Sequence, residues 1–136
     1  MKPALILFCL IFLFAGCKDE KPDQLLICSE QYVTITIKVR DIQNAPVALE
    51  SFKVTRTADQ SDVTIKVDPA DYAIMQKQGI YPIANDSSKR QLDNKNVEVV
   101  FTGMVGGKVV VNQKYTIGTD KCHVLLVSGE REVIVQ

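Results

Sequence analysis

The sequence has no Trp, a single His and few aromatic residues of any kind. With so few rings, aliphatic and β-branched side chains must build any core. Acidic and basic residues balance at 16 each, so no global field draws the chain to nucleic acid or to an anionic surface. No uninterrupted apolar run reaches the roughly 20 residues that a membrane-spanning helix needs. No internal repeat and no second linker divide the chain. Its 136 residues suffice for one ordinary domain and not for two. What remains is an apolar fraction of 46%, which excludes disorder as the default. Val, Ile and Thr are plentiful, and their stiff side chains favour pleated structure.

The first segment reads as an address. Lys2 supplies a positive end and Ala4 to Ala15 form an apolar run, long enough for a signal-peptide core and too short to span a bilayer. Leu13-Phe14-Ala15-Gly16-Cys17 follows. It resembles the lipobox of bacterial lipoproteins, with Phe14 where Leu, Val or Ile is usual. The resemblance implies cleavage after Gly16 and lipid on Cys17, which becomes the new N-terminus; plain secretion is the competing reading. Lys18-Asp19-Glu20-Lys21 comes next and resembles the export tag of Bacteroidetes-type surface lipoproteins, with Lys18, Asp19 and Glu20 as its carriers. A solvated tether would also be charged. Several acyl chains on one residue give stable anchoring where one chain would be reversible.

Of four Cys, Cys9 leaves with the signal core and Cys17 is assigned to the lipid. Cys28 and Cys122 remain, and in an oxidising compartment they are expected to pair. The bridge closes a loop of roughly 95 residues, for which the chain-entropy model gives about 4–5 kcal/mol. A metal site built from these two Cys and His123 lacks a fourth ligand and paired spacing. A catalytic thiol needs a base, and a strand would point His123 and Cys122 to opposite faces.

Val33, Ile35, Ile37 and Val39 alternate with polar residues through Gln31 to Arg40, the period of a half-buried strand. Asp41 to Pro46 supplies turn formers. Extended runs are expected at Val47–Thr55 and Val63–Val67, with a polar turn over 57–62. Asp68-Pro69 is a helix-start signal and Gly79 a stop, so Tyr72–Gln78 reads as a short helix or a wandering crossover. Ile80–Ile83 is expected as an edge strand because of Pro82. Asn85 to Asn96 reads as polar loop. Val97–Val105 and Lys108–Thr116 flank Gly106-Gly107, a hairpin signal. Cys122–Val127 is expected as a strand, with Ser128-Gly129-Glu130 turning it into a final short hairpin with Glu132–Val135.

Seven or eight strands with at most one short helix predict an all-β, two-sheet antiparallel sandwich of immunoglobulin-like or transthyretin-like type. The domains read as signal peptide 1–16, lipidated tether 17–24 and a single sandwich 25–136. Val39-Arg40-Asp41 with Pro46-Val47 resembles the strand-turn-strand entry of carboxypeptidase-regulatory-like and transthyretin-like sandwiches. Asn44 stands where that family prefers Gly, and Asn tolerates the left-handed conformation. Tyr115-Thr116-Ile117, Asp120-Lys121-Cys122-His123-Val124 and Ser128-Gly129 resemble the closing motif of small Bacteroidetes lipoproteins, a family with no assigned activity.

No catalytic residue is nominated. Ser128, His123 and Asp120 form a hydrolytic trio only on paper, because Ser128 lies in a turn with no nucleophile elbow. Asp59, Asp62, Asp68 and Asp71 lack calcium-loop spacing and are explained by turns. Asp86 and Asp93 read as loop residues. Glu130 and Glu132 read as solvated hairpin charges, and Tyr32, Tyr72, Tyr81 and Tyr115 as packing residues. The expectation is a noncatalytic binding or structural module at the outer cell surface, with no cofactor and no metal. It would meet the membrane through its lipid, and a surface protein or glycan through the 57–62 turn and the 85–96 loop. The alternative is an accessory or inhibitory subunit of a surface enzyme or uptake complex.

Overall fold

A computed structural model of the chain describes residues 28–92 and 95–136. Among the described residues seven strands form two sheets: β1 (Thr34–Asp41), β3 (Ile80–Asn85) and β7 (Glu132–Val135) in one, β2 (Ser51–Arg56), β4 (Val97–Val105), β5 (Lys108–Thr119) and β6 (Val124–Ser128) in the other. Their orders are β3-β1-β7 and β2-β4-β5-β6. The expected two-sheet sandwich is therefore present. Alternation in β1 buries Ile35, Ile37 and Val39 against Val54, Val99, Phe101, Val111 and Ile117 of the facing sheet.

Local signals govern the turns. Asp68 caps α1 (Pro69–Gln78) by accepting the Ala70 and Asp71 amides, and Pro69 opens the first turn. Gly79 ends it at φ 63°, and a Cβ there would stand 2.6 Å from the Val39 carbonyl oxygen. Gly106 and Gly107, at φ 58° and 71°, make the tight β4–β5 hairpin. Asn44 takes φ 65°, as expected for the turn it closes, while Asp41 Oδ1 accepts the Gln43 and Ala45 amides.

Several expectations need correction. The final segment does not fold back on β6; β7 crosses to the other sheet and runs parallel to β1, from Lys38↔Glu132 to Asp41↔Val135. There the crossing half-buries Val133 and Val135, and it leaves one parallel ladder in an otherwise antiparallel sandwich. Val63–Val67 is a strap rather than a strand. Thr64 Oγ1, instead of a main-chain carbonyl, takes the Val54 N–H at 2.8 Å, and the ladder stops. Residues 86–92, expected as polar loop, form a 3-10 helix, Asp86–Leu92, in which Ser88 and Leu92 are buried. The Ser88 N–H and hydroxyl both donate to Asn85 Oδ1, which lets a polar sequence pack inward. This second helix exceeds the one expected.

Residues 47–49 also stay out of β2. The Tyr81 hydroxyl accepts the Leu49 N–H at 2.7 Å and donates to the Val47 carbonyl at 2.8 Å. Tyr72 and Gln76 of α1 donate to the Leu49 carbonyl. The Val47 N–H still donates to the Val39 carbonyl, and side chains serve the Val47 carbonyl and both Leu49 groups in place of sheet partners. β3 is an edge strand, as Pro82 implies.

The registers define two ends. Thr34 of β1, Asn85 of β3, Val97 of β4, Thr119 of β5 and Val124 of β6 lie at one end, together with the 57–62 turn. The Asp41–Pro46 turn, the Gly106-Gly107 tip and Val135 lie at the other.

Candidate functional site

The first of these ends receives the N-terminal segment and holds it at several points. Cys28 and Cys122 form the expected disulfide, with a Cα–Cα distance of 5.3 Å. The Tyr32 hydroxyl bonds Ser87 Oγ at 2.8 Å. The Val33 N–H donates to Asp86 Oδ2 at 2.8 Å, and the Asp86 N–H donates to the Val33 carbonyl.

His123 sits at the centre of this clasp. It lies in the bend before β6, not in a strand as the sequence reading had it, because Asp120 Oδ1 accepts both the Cys122 and His123 amides and turns the chain. The ring is then bonded on both nitrogens. Nδ1 lies 2.9 Å from Asp86 Oδ2, and Nε2 lies 2.9 Å from Ser29 Oγ. Asp86 is further fixed by the Val124 N–H on Oδ1 at 2.9 Å. Partial burial works to raise its pKa, but hydrogen bonds from Val33, His123 and Val124 outweigh it, and the carboxyl pKa is held below its ordinary 3.8. Asp120 is lowered as well, chiefly by the His123 and Cys122 amides.

The Ser128–His123–Asp120 trio considered from sequence is not assembled. The Ser128 hydroxyl donates to Thr116, and Asp120 contacts the main chain of His123 rather than its ring. Ser29 and Asp86 stand in its place. Sequence reading missed Ser29 and dismissed Asp86 because Ser29 lies 94 positions from His123 and Asp86 lies 37 from it; the one available signal was that Ser29 and His123 each directly follow a bridged cysteine.

A second feature is an open groove of about 420 Å³ along β2. Phe52 and Met104 line its apolar part and Lys53, Asp62 and Thr64 its polar part. Phe52 stacks on Phe101 at 5.6 Å and on Tyr72 at 6.0 Å, so the apolar floor is rigid. A neighbouring hollow shares Ser51, Phe52 and Thr64 and extends the groove towards Tyr72 and Ile65. Asp62 is occupied by its own turn, accepting the Thr64 N–H and hydroxyl, and the Lys53 ammonium lies 3.8 Å away.

Asp59 and Asp68 likewise accept bonds within their own turn and helix cap. Among the described residues, no three His, Cys, Asp or Glu side chains come together as a metal site. Cys17, Lys18, Asp19 and Glu20 lie outside the described residues. Among the described residues no helix is long and apolar enough to cross a membrane. Compared with known proteins, the chain matches no family model, no curated protein and no solved structure.

Proposed function

We propose that the chain is a lipid-anchored binding or structural module of the outer cell surface, whose recognition surface does no chemistry on what it binds. The observation that carries this is the clasp. It gathers the root of the N-terminal segment onto one end of the sandwich through Cys28–Cys122, Tyr32–Ser87 and Val33–Asp86. With lipid on Cys17 and export directed by Lys18-Asp19-Glu20, that end is the anchored one. The Asp41–Pro46 turn, the hairpin tip and the adjoining Phe52 groove then point away from the membrane.

This placement changes where recognition is sought. The tip of the 57–62 turn and the Asp86–Leu92 helix belong to the anchored end and only Asp62 of that turn reaches the groove, so the Phe52–Met104 part of the groove and the opposite turns are the better surface for a protein or glycan partner. The alternative, an accessory or inhibitory subunit, draws on the same groove, which is open along its length and suits a segment of another protein. In-cell photocrosslinking from position 104 compared with position 95 tests the reading. Adducts confined to position 104 support it, and adducts only at position 95, or at neither, overturn it. Release of a Cys17→Ala chain from the membrane fraction is the expected outcome for the anchor.

A further inference from the structure

The bonds around His123 carry a second property at the anchored end, separate from the binding role. We propose that Ser29 is an activated nucleophile, with His123 as its general base and Asp86 as the carboxylate that orients the base, and that it hydrolyses small, exposed carboxylic esters.

Three observations converge. First, the carboxylate of Asp86 is an acceptor only, fixed by main-chain N–H groups on both oxygens. The His123 Nδ1 beside it must therefore carry hydrogen, which in the neutral ring leaves a lone pair on Nε2. That lone pair faces Ser29 Oγ at 2.9 Å, within the reach needed for proton transfer. Second, nucleophile and base are the residues immediately after the two bridged cysteines, so the Cys28–Cys122 bond itself holds the two side chains together. A covalent clamp replaces the rigid strand-to-helix elbow on which such serines usually sit. Third, Ser29 is exposed while His123 and Asp86 are largely covered, their side chains 18% and 14% exposed, so a substrate reaches the oxygen and not the relay behind it.

The step balances without a co-reactant other than water. Ser29 Oγ bonds to the ester carbonyl carbon as its proton passes to Nε2. The adduct collapses, the carbon–alkoxy bond breaks, and the alkoxide leaves with the Nε2 proton. Water then attacks the acyl-serine, giving its proton to Nε2, and the carboxylic acid departs as Oγ recovers a proton. General-base help of this kind accelerates by roughly 100-fold or more. The site is open and shallow, which suits activated or unhindered esters.

The test uses the oxidised full chain with p-nitrophenyl acetate, and a fluorophosphonate probe read by peptide mass spectrometry. The expected results are hydrolysis about 100-fold above buffer, a phosphonyl adduct on Ser29, and loss of both in Ser29→Ala. Ser29 is exposed and its removal should lower the melting temperature far less than loss of the bridge does. Asp86→Asn should lower the rate and shift its pH profile, and reducing the disulfide should abolish the adduct. Hydrolysis persisting undiminished in Ser29→Ala, or no adduct on Ser29 in the oxidised chain, overturns the proposal and leaves the hydrogen bonds as a static clasp. Neither result bears on the groove, so this proposal and the binding role fail separately.

Discussion

The two ends of the sandwich are held by different means. The end that receives the N-terminal segment relies on a disulfide and on side chains from distant parts of the sequence: Ser29, Tyr32, Asp86 and His123. The opposite end relies on local conformation, with Asn44, Gly79, Gly106 and Gly107 at positive φ in turns and a helix cap. One end is thus conditional on redox state and pH, while the other is written into short stretches of chain.

The largest test of that contrast is the bridge. Cys28→Ser with Cys122→Ser should cost up to about 4–5 kcal/mol by the chain-entropy estimate, read as a lower denaturant midpoint. An equal loss from reducing the parent chain would show that the bond, and not the side-chain volume, is responsible. Next comes Tyr81→Phe, between the two ends. It leaves the Leu49 N–H and Val47 carbonyl without the hydroxyl that joins them, and about 1–3 kcal/mol should be lost. A neutral result would mean that the chain at 47–49 finds other partners.

Smaller is Asn44→Ala, which places a Cβ-bearing, non-amide residue at φ 65°. A cost of about 1 kcal/mol is expected, with Asn44→Gly neutral or better. The smallest effect is acid release of the clasp. The carboxyl of Asp86 is lower when folded than its ordinary 3.8. Its contribution is therefore complete above that value and is lost as the pH falls through the lowered one. As the pH falls below 3.8, hydrogen-exchange protection should fall at the Val33 and Val124 amides before it does at Val99 and Tyr115 in the β4–β5 ladder. Equal loss everywhere would show that the two ends are not independent.

The same division decides what was readable in the sequence. Alternation in β1, the Gly-Gly hairpin, the Asp68-Pro69 start, the Gly79 stop and the Asn44 turn are each specified within a few residues, and each is present. The disulfide was readable because only two cysteines remained to pair. Features set by long-range competition were not. Val63–Val67 alternates as well as any strand, yet the Thr64 hydroxyl takes the Val54 amide and ends the pairing. Ser88 and Leu92 looked like loop residues because the Asn85 side chain that satisfies Ser88 cannot be inferred from spacing. β7 looked like the return arm of a hairpin because the turn before it is short, and nothing local announces a crossing to the other layer. The Ser29–His123–Asp86 cluster belongs to the same class. It exists only after three separate segments meet at one end.

The pairing of β7 with β1 has a consequence for how the molecule is made. The first strand has its last neighbour supplied by Glu132–Val135, far downstream in the sequence. A polypeptide delivered N-terminus first, whether from the ribosome or through a translocation pore, cannot finish the smaller layer until Glu132–Val135 has emerged. The bridge obeys the same schedule, since Cys28 waits for Cys122. Such high sequence separation slows closure, and it keeps the chain threadable for as long as part of it is still in transit.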